Sequence, residues 1–399
     1  MENKVFAINC EGYNQEMTYE KLKELLLKNN LLDFVKKDMV IAIKANLVAA
    51  MKPDSAATTH PSLLISLCKV LLELGAKVIV GDSPGGLYQE VFLNSIYKKT
   101  QVDKVLEIGA SLNHDFQQEI IDTPELKIVK HLDCCSWLLK ADAIINFCKM
   151  KTHGMMSLSA ATKNMFGSVP GTIKLEYHYR YPRHEDFANM LIDIQQFYKC
   201  KLHICDAILA MEGNGPTMGK PKHVGLLLAS KSCYALDIVC CKLMNLDINN
   251  VPTITQAIER NLSVKSFEEI QLNMDIEGFI HKDFENIQHS DNILFFSDKH
   301  KNIFKRAIGV IAKKILIVRP KAKKKECIGC RKCADICPAK AITITPPNKR
   351  IYSAAPWPLL SLEIASMLDL TSSFILSIRL MPFSFSYFSK IMISPHFVK

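Results

Sequence analysis

The sequence predicts an α/β fold, a mostly parallel sheet covered by helices, followed by a small cysteine-rich module. Three observations carry this. Short apolar runs alternate with helical patterns over residues 1–300, the arrangement that gives parallel strands joined by helical crossovers. Several of those runs end in clusters of Gly, Asn, Asp and Lys, as loops at the carboxyl ends of parallel strands do. Four cysteines then fall within eleven residues, at Cys327, Cys330, Cys333 and Cys337.

The elements follow in order. Val5–Asn9 is a strand and Tyr19–Lys36 an amphipathic helix. Met39–Ala45 is an apolar strand. Pro61–Leu74 is a helix, with Pro at its start and Gly75 just past its end, the asymmetry expected of helix termini. Lys77–Gly81 is a strand, followed by a Gly-rich turn and a helix from about Tyr88. Ala143–Phe147 is a strand and Phe187–Tyr198 a helix. Leu202–Cys205 and Leu226–Ala229 are strands, and Tyr234–Met244 and Thr253–Arg260 are helices. No internal repeat is visible. Residues 301–325 form a basic connection, residues 326–350 hold the cysteines, and residues 351–399 are of a different character.

Composition narrows the function. With 48% hydrophobic and 23% charged residues the chain has the apolar material for a sizeable core, so its fourteen cysteines are not needed as staples. Ten are scattered: Cys10, Cys68, Cys134, Cys135, Cys148, Cys200, Cys205, Cys233, Cys240 and Cys241. They are expected to be reduced thiols serving as small buried apolar groups. That usage implies a reducing, cytoplasmic setting. No signal-peptide apolar region follows Met1, and no run of 18 uncharged apolar residues predicts a membrane span. The net charge of +10 concentrates at Lys313, Lys314, Arg319, Lys321 and Lys323–Lys325. This is a solvated linker or a docking surface for an acidic redox partner. No nucleic-acid motif accompanies it, so nucleic acid is not an expected partner.

The cysteine run is Cys327-x2-Cys330-x2-Cys333-x3-Cys337-Pro338. This is the bacterial ferredoxin spacing, in which closely spaced thiolates wrap an iron–sulfur cubane. Zinc sites use paired C-x2-C units with a longer spacer. The module is therefore expected to be ferredoxin-like, with a 4Fe–4S cluster, and Ala341–Thr345 to be a short strand. In two-cluster ferredoxins the fourth cysteine of such a run serves the other cluster. No cysteine follows Cys337. The expectation is one cluster held by Cys327, Cys330 and Cys333, incomplete or three-iron, with Cys337 left for a second cluster that this chain does not complete. Residues 351–399 carry five charged residues, ten serines and no glycine. A slipped reading frame near Arg350 accounts for them, and a genuine divergent tail is the alternative.

The polar clusters supply the candidate ligand site. Lys44 and Asn46 end one strand; Asp82, Ser83, Gly85 and Gly86 follow another. Lys149, Lys151 and His153 follow a third, with Lys163 and Asn164 nearby. Asp206, Glu212 and Asn214 follow a fourth. Gly85-Gly86 before a helix has the form of a loop whose backbone N–H groups cradle an anion. Lys149, Lys151 and Lys163 suit a phosphate or carboxylate. His178, His184 and Glu185 lie in an aromatic, basic loop with the look of a lid. These, with Asp193 on the next helix, are candidates for acid–base work. Lys149, Lys151, His153, Lys163 and His184 are the candidate catalytic set; the other residues of the four clusters are anion or substrate binders.

The motifs GDSPGG at 81–86, KMKTH at 149–153, TKNMFG at 162–167, FANMLIDI at 187–194 and DAILAMEGNGPTMGKP at 206–221 resemble the family named for domain of unknown function 362. The resemblance spans roughly residues 4–345. It implies an iron–sulfur, ferredoxin-like protein of anaerobic metabolism with an unassigned chemistry. Members commonly carry a two-cluster module, and here the second run is missing. Lys44-Ala45-Asn46 stands where such proteins often show Lys-Pro-Asn. Two functions remain open. One is electron transfer coupled to an anionic-ligand site, with a redox partner or a small anionic substrate. The other is a non-redox enzyme or binding protein with a structural cluster. A third reading is a zinc-bearing interaction protein.

Overall fold

This computed structural model describes residues 3–287, 342–345 and 350–353. The chain divides into two units, Met1–Ile293 and Leu294–Lys399. The first opens with β1 (Lys4–Asn9), α1 (Gln15–Lys28), β2 (Val40–Lys44), α2 (Pro61–Glu73), β3 (Lys77–Gly81), α3 (Glu90–Thr100) and β4 (Ser111–Leu112). It continues with β5 (Gln118–Asp122), β6 (His131–Cys135), α4 (Ser136–Leu139), β7 (Ala143–His153), β8 (Ser157–Ser159), α5 (Ala161–Asn164), α6 (Ile173–Arg180) and α7 (His184–Tyr198). It closes with β9 (Leu202–Glu212), β10 (Lys220–Ser230), α8 (Cys233–Leu243), α9 (Pro252–Glu259) and β11 (Gln271–Leu272). In the second unit β12 (Ile342–Thr345) pairs antiparallel with β13 (Arg350–Ser353).

The main sheet runs β11-β1-β10-β9-β7-β2-β3-β4, with β8 added to β7. The neighbours β9, β7, β2, β3 and β4 are all parallel, and β10 lies antiparallel between β9 and β1. The fold is α/β, as predicted. From β2 the chain winds outward through β3 to β4, then returns to the other flank of β2 as β7 and proceeds to β9. The point between β2 and β7 is therefore a topological switch, where connections diverge, the position at which open α/β sheets place a ligand crevice.

Both faces are covered. Leu22 and Leu25 of α1, Leu63, Leu67 and Leu71 of α2 and Ile96 of α3 bury against Ile41, Ile43, Val78, Val80, Ile145 and Phe147. On the opposite face, Phe187, Leu191 and Ile194 of α7 pack with Met165, Phe166, Ala42 and Ile144. Helices α8 and α9 cover Cys148, Met150, Leu226 and Leu228. The β2 alternation, Ile41 and Ile43 to one side and Ala42 to the other, is the period-two pattern of a strand buried on both faces.

Some boundaries differ from the sequence expectation. The first helix starts earlier, because the Asn14 side chain caps it by accepting from Glu16 and Met17 N–H, and it stops at Lys28. Strands β7, β9 and β10 each run eleven residues, well past the apolar runs that marked them. All ten scattered cysteines are buried and unbridged. Among the described residues no helix is long and apolar enough to cross a membrane. The basic stretch 301–325, the cysteine run at Cys327, Cys330, Cys333 and Cys337, and residues 354–399 lie outside the described residues.

Candidate functional site

The extra length of β7 and β9 makes the site. Side chains two apart on a strand share a face. On β7, Ile145 and Phe147 sit in the core beneath α1 and α2, and the same face continues as Lys149 and Lys151. On β9, Ile204 and Ile208 flank Asp206 in the same way. Lys149 lies opposite Asp206 in register. One stripe of the sheet thus changes from apolar to charged where β2 stops, while staying buried.

Three groups of contacts meet there. In the first, Lys149 Nζ lies 2.8 Å from Asp206 Oδ2, with both side chains at most 1% exposed. It also donates to the Tyr13 hydroxyl at 2.9 Å, and Tyr13 donates to Asp206 Oδ1 at 2.8 Å. His60 stacks on Tyr13 with ring centroids 3.6 Å apart, and its backbone N–H donates to Asp206 at 3.1 Å. Burial pushes the Tyr13 hydroxyl well above its usual range, with Asp206 adding to it. Burial likewise pushes the His60 imidazole down to about 4, so the ring is neutral.

In the second group, Lys44 Nζ sits 2.7 Å from Asp82 Oδ1, and Asp82 also accepts from Leu47 N–H at 2.7 Å. Gly167 lies directly over this pair. A Cβ there would come 2.1 Å from Asp82 Oδ1 and 2.6 Å from Lys44 Nζ, so the close approach requires glycine. Lys151 donates to Asn46 Oδ1 at 2.9 Å and to the Ala57 carbonyl at 2.7 Å. Asn46 donates to Asn164 Oδ1, and Asn164 donates to Asn146 Oδ1 at 2.7 Å. This amide chain ties β2, β7 and α5 together.

The third group lies under α6 and α7. Lys174 donates to Ser83 Oγ at 3.1 Å and to the Val169 carbonyl. Lys163, half-buried, stands over the Phe166 ring at 4.7 Å and the Phe187 ring at 5.9 Å. His178 stacks on Phe187 at 4.6 Å. Among the described residues the Lys163 amine has no hydrogen bond or ion pair. Burial is the main cause that pushes Lys151 and Lys163 down to about 7 and Lys174 to about 8. Mutual repulsion of the amines adds to the shift of Lys151 and Lys163.

The structure therefore brings together Lys44, Asn46, Asp82, Ser83, Lys149, Lys151, Lys163, Asn164 and Asp206. His153 is placed beside them on β7; its Nδ1 accepts from Met155 and Met156 N–H, and burial holds it neutral. Gly85 and Gly86 do not open a helix, since α3 begins at Glu90 with Gln89 as its cap. Glu212 accepts from Glu285 N–H and faces Lys222 at 3.8 Å, and the Asn214 carbonyl closes a turn onto Met218. His184 is the buried first residue of α7. Asp193 is a clamp: it accepts from Ile128 and Val129 N–H and pairs with Arg260 at 2.7 Å. Tyr13, His60 and Lys174 are members that sequence reasoning missed. Tyr13 lies just past the carboxyl end of β1, the position that marked the other clusters. Nothing local marks Lys174.

The family described as Domain of unknown function (DUF362) matches residues 41–242, and the 4Fe-4S binding domain matches residues 323–343, which contain all four run cysteines. A thylakoid-associated protein of Synechocystis sp. is 30% identical over 257 residues, 64% of this chain and 78% of that protein. The lactate racemase apoprotein from Thermoanaerobacterium thermosaccharolyticum aligns with a TM-score of 0.40 and 12% identity, over 62% of this chain and 58% of that one. A protein from Thermotoga maritima aligns with a TM-score of 0.37 and 12% identity, over 60% of this chain and 61% of that one. Less than two thirds of either solved chain is spanned, and likenesses this slight bear on neither fold nor activity. The family match covers just over half of the chain, and the chain belongs to the DUF362 family and carries a 4Fe–4S binding module of the ferredoxin type.

Proposed function

We propose that the crevice between β2 and β7 binds a small anionic compound, and that the chain is a cytoplasmic, ferredoxin-like electron-transfer protein coupled to that site. The observation that carries the anionic ligand is the charge count at one sheet edge. Five lysines, 44, 149, 151, 163 and 174, converge there against the two carboxylates of Asp82 and Asp206. Burying that excess of cations is costly unless an anion completes the set. Lys149 and Lys44 are each neutralised by a carboxylate and hold the frame. Lys151, Lys163 and Lys174 lack one, and a bound anion favours their protonated forms. A 4Fe–4S cluster on Cys327, Cys330 and Cys333 supplies one-electron transfer when bound.

Two measurements test the two halves. Calorimetric titration with inorganic phosphate and with small carboxylates should show binding to the full chain and its loss in Lys151→Met; no binding of either class rejects the anion site. Anaerobic reconstitution followed by a reductive EPR titration should give a reducible iron–sulfur signal. A cluster that stays silent at accessible potentials supports the structural-cluster alternative instead, and zinc without acid-labile sulfide removes both.

A further inference from the structure

Of the five amines, four are committed. Lys44 is held by Asp82, Lys149 by Asp206 and Tyr13, Lys151 by Asn46 and the Ala57 carbonyl, and Lys174 by Ser83 and the Val169 carbonyl. Lys163 alone among them has no acceptor among the described residues. Its amine rests on two aromatic faces, and Lys174 stands over the same Phe166 ring at 6.0 Å. Its position is fixed from behind. Asp237 of α8 accepts from Ala161 N–H at 2.6 Å and Thr162 N–H at 3.0 Å, which anchors α5, and Asn164 is tied to Asn46 and Asn146. An amine on an anchored helix, without an acceptor and among other cations, is the setting in which a lysine stays neutral and nucleophilic.

We propose that Lys163 is a nucleophilic residue that forms an imine with the carbonyl carbon of an anionic carbonyl compound of the 2-oxo-acid kind. The proposal rests on the anion-binding reading of the crevice. The neutral Lys163 amine adds to the carbonyl carbon and forms the C–N bond. The carbonyl oxygen leaves as water, with one proton taken up overall, and the product is a protonated imine. No oxidant or reductant is consumed. Lys174, Lys151 and Lys44 are the neighbouring cations whose field attracts the substrate's carboxylate, and Asp82 is the carboxylate among the groups acting on Lys163; His153 and His178 face it as neutral rings. Burial, with Lys174 and Lys44 adding to it, brings the amine down to about 7.

The test is reductive trapping on the full chain, with its cluster reconstituted. Pyruvate and cyanoborohydride at neutral pH, followed by peptide mapping, should place the adduct on Lys163 at least about tenfold faster than on any surface lysine. Lys163→Arg, checked for folding by circular dichroism, should lose that adduct. Adducts spread evenly over surface lysines, or placed on Lys151, would overturn the proposal. Two further arms separate it from the reading beneath it. Phosphate that binds the wild type while pyruvate gives no Lys163 adduct sinks the imine and leaves the anion site intact. Neutral acetaldehyde trapped on Lys163 as fast as pyruvate, with no phosphate binding, keeps the nucleophile but removes its anionic substrate class, and so overturns the proposal as stated.

Discussion

A buried lysine gives up the hydration of its amine, and only a fixed acceptor or an opposite charge returns it. Asp206 performs that service for Lys149, and it also accepts from Tyr13 and from His60 N–H. Asp206→Asn should therefore cost about 3–5 kcal/mol of stability, the loss expected when one partner of a buried pair is removed; urea unfolding of wild type and variant measures it. The unneutralised amines predict two opposite responses to pH. In the folded chain Lys151 and Lys163 titrate near 7 and Lys174 near 8, below the 10.5 of an ordinary lysine. Between those values the unfolded chain binds more protons, so the lysine contribution to stability rises as pH increases from about 7. Anion binding must fall over the same interval, since the same amines lose their charge. Thermal melts and phosphate titrations at pH 6.5, 7.5 and 8.5, values chosen to bracket the shifts at about 7 and 8, check both signs together.

At the level of elements, the sequence located the central strands because their apolar runs are unbroken: Val40–Lys44, Lys77–Gly81 and the first half of β7. It stopped β7 at Phe147 and β9 at Cys205, where buried Lys and Asp interrupt the apolar stripe. Polarity in a sequence ordinarily marks solvent, and here it marks a buried polar cluster, so the strand ends were concealed by the residues that make the site. The edge pieces β4, β8 and β11 are two or three residues long and leave no pattern to detect. Lys44, Lys149, Lys151, Asp82 and Asp206 were legible as a set, because each ends or follows an apolar run, and Lys163 by its nearness to them in the chain. Lys174 was not, since it reaches Ser83 from a helix that folds back over the crevice. The anchoring of α5 is an element-scale prediction. Asp237→Ala removes the acceptor for two buried N–H groups and should cost about 1–3 kcal/mol. It should also weaken phosphate binding by releasing Lys163 and Asn164, whereas a purely structural role would lower the unfolding midpoint and leave the affinity of the remaining folded protein unchanged.

On the scale of the whole molecule, the cluster cysteines and the lysine crevice fall in different units of the chain. Cys330→Ser should abolish the iron–sulfur absorbance and lower the iron content, while the unfolding free energy of the α/β unit in urea changes by no more than about 0.5 kcal/mol, as for independent sites. A larger shift would mean that the units stabilise one another. The position of β1 bears on how the chain is made. Phe6 pairs with Ala229, and Lys4 with Gln271. Strand β1 precedes both of its sheet neighbours, β10 and β11, by more than 200 residues. At about 5–20 residues per second, it waits on the order of ten to forty seconds for β10 to be synthesised. Throughout that interval β2, β3 and β7 can assemble without it, and β1 offers two unsatisfied hydrogen-bonding edges to any other chain within reach. Synthesis of residues 220–230 covers one of those edges, and the other stays open until Gln271–Leu272 follow.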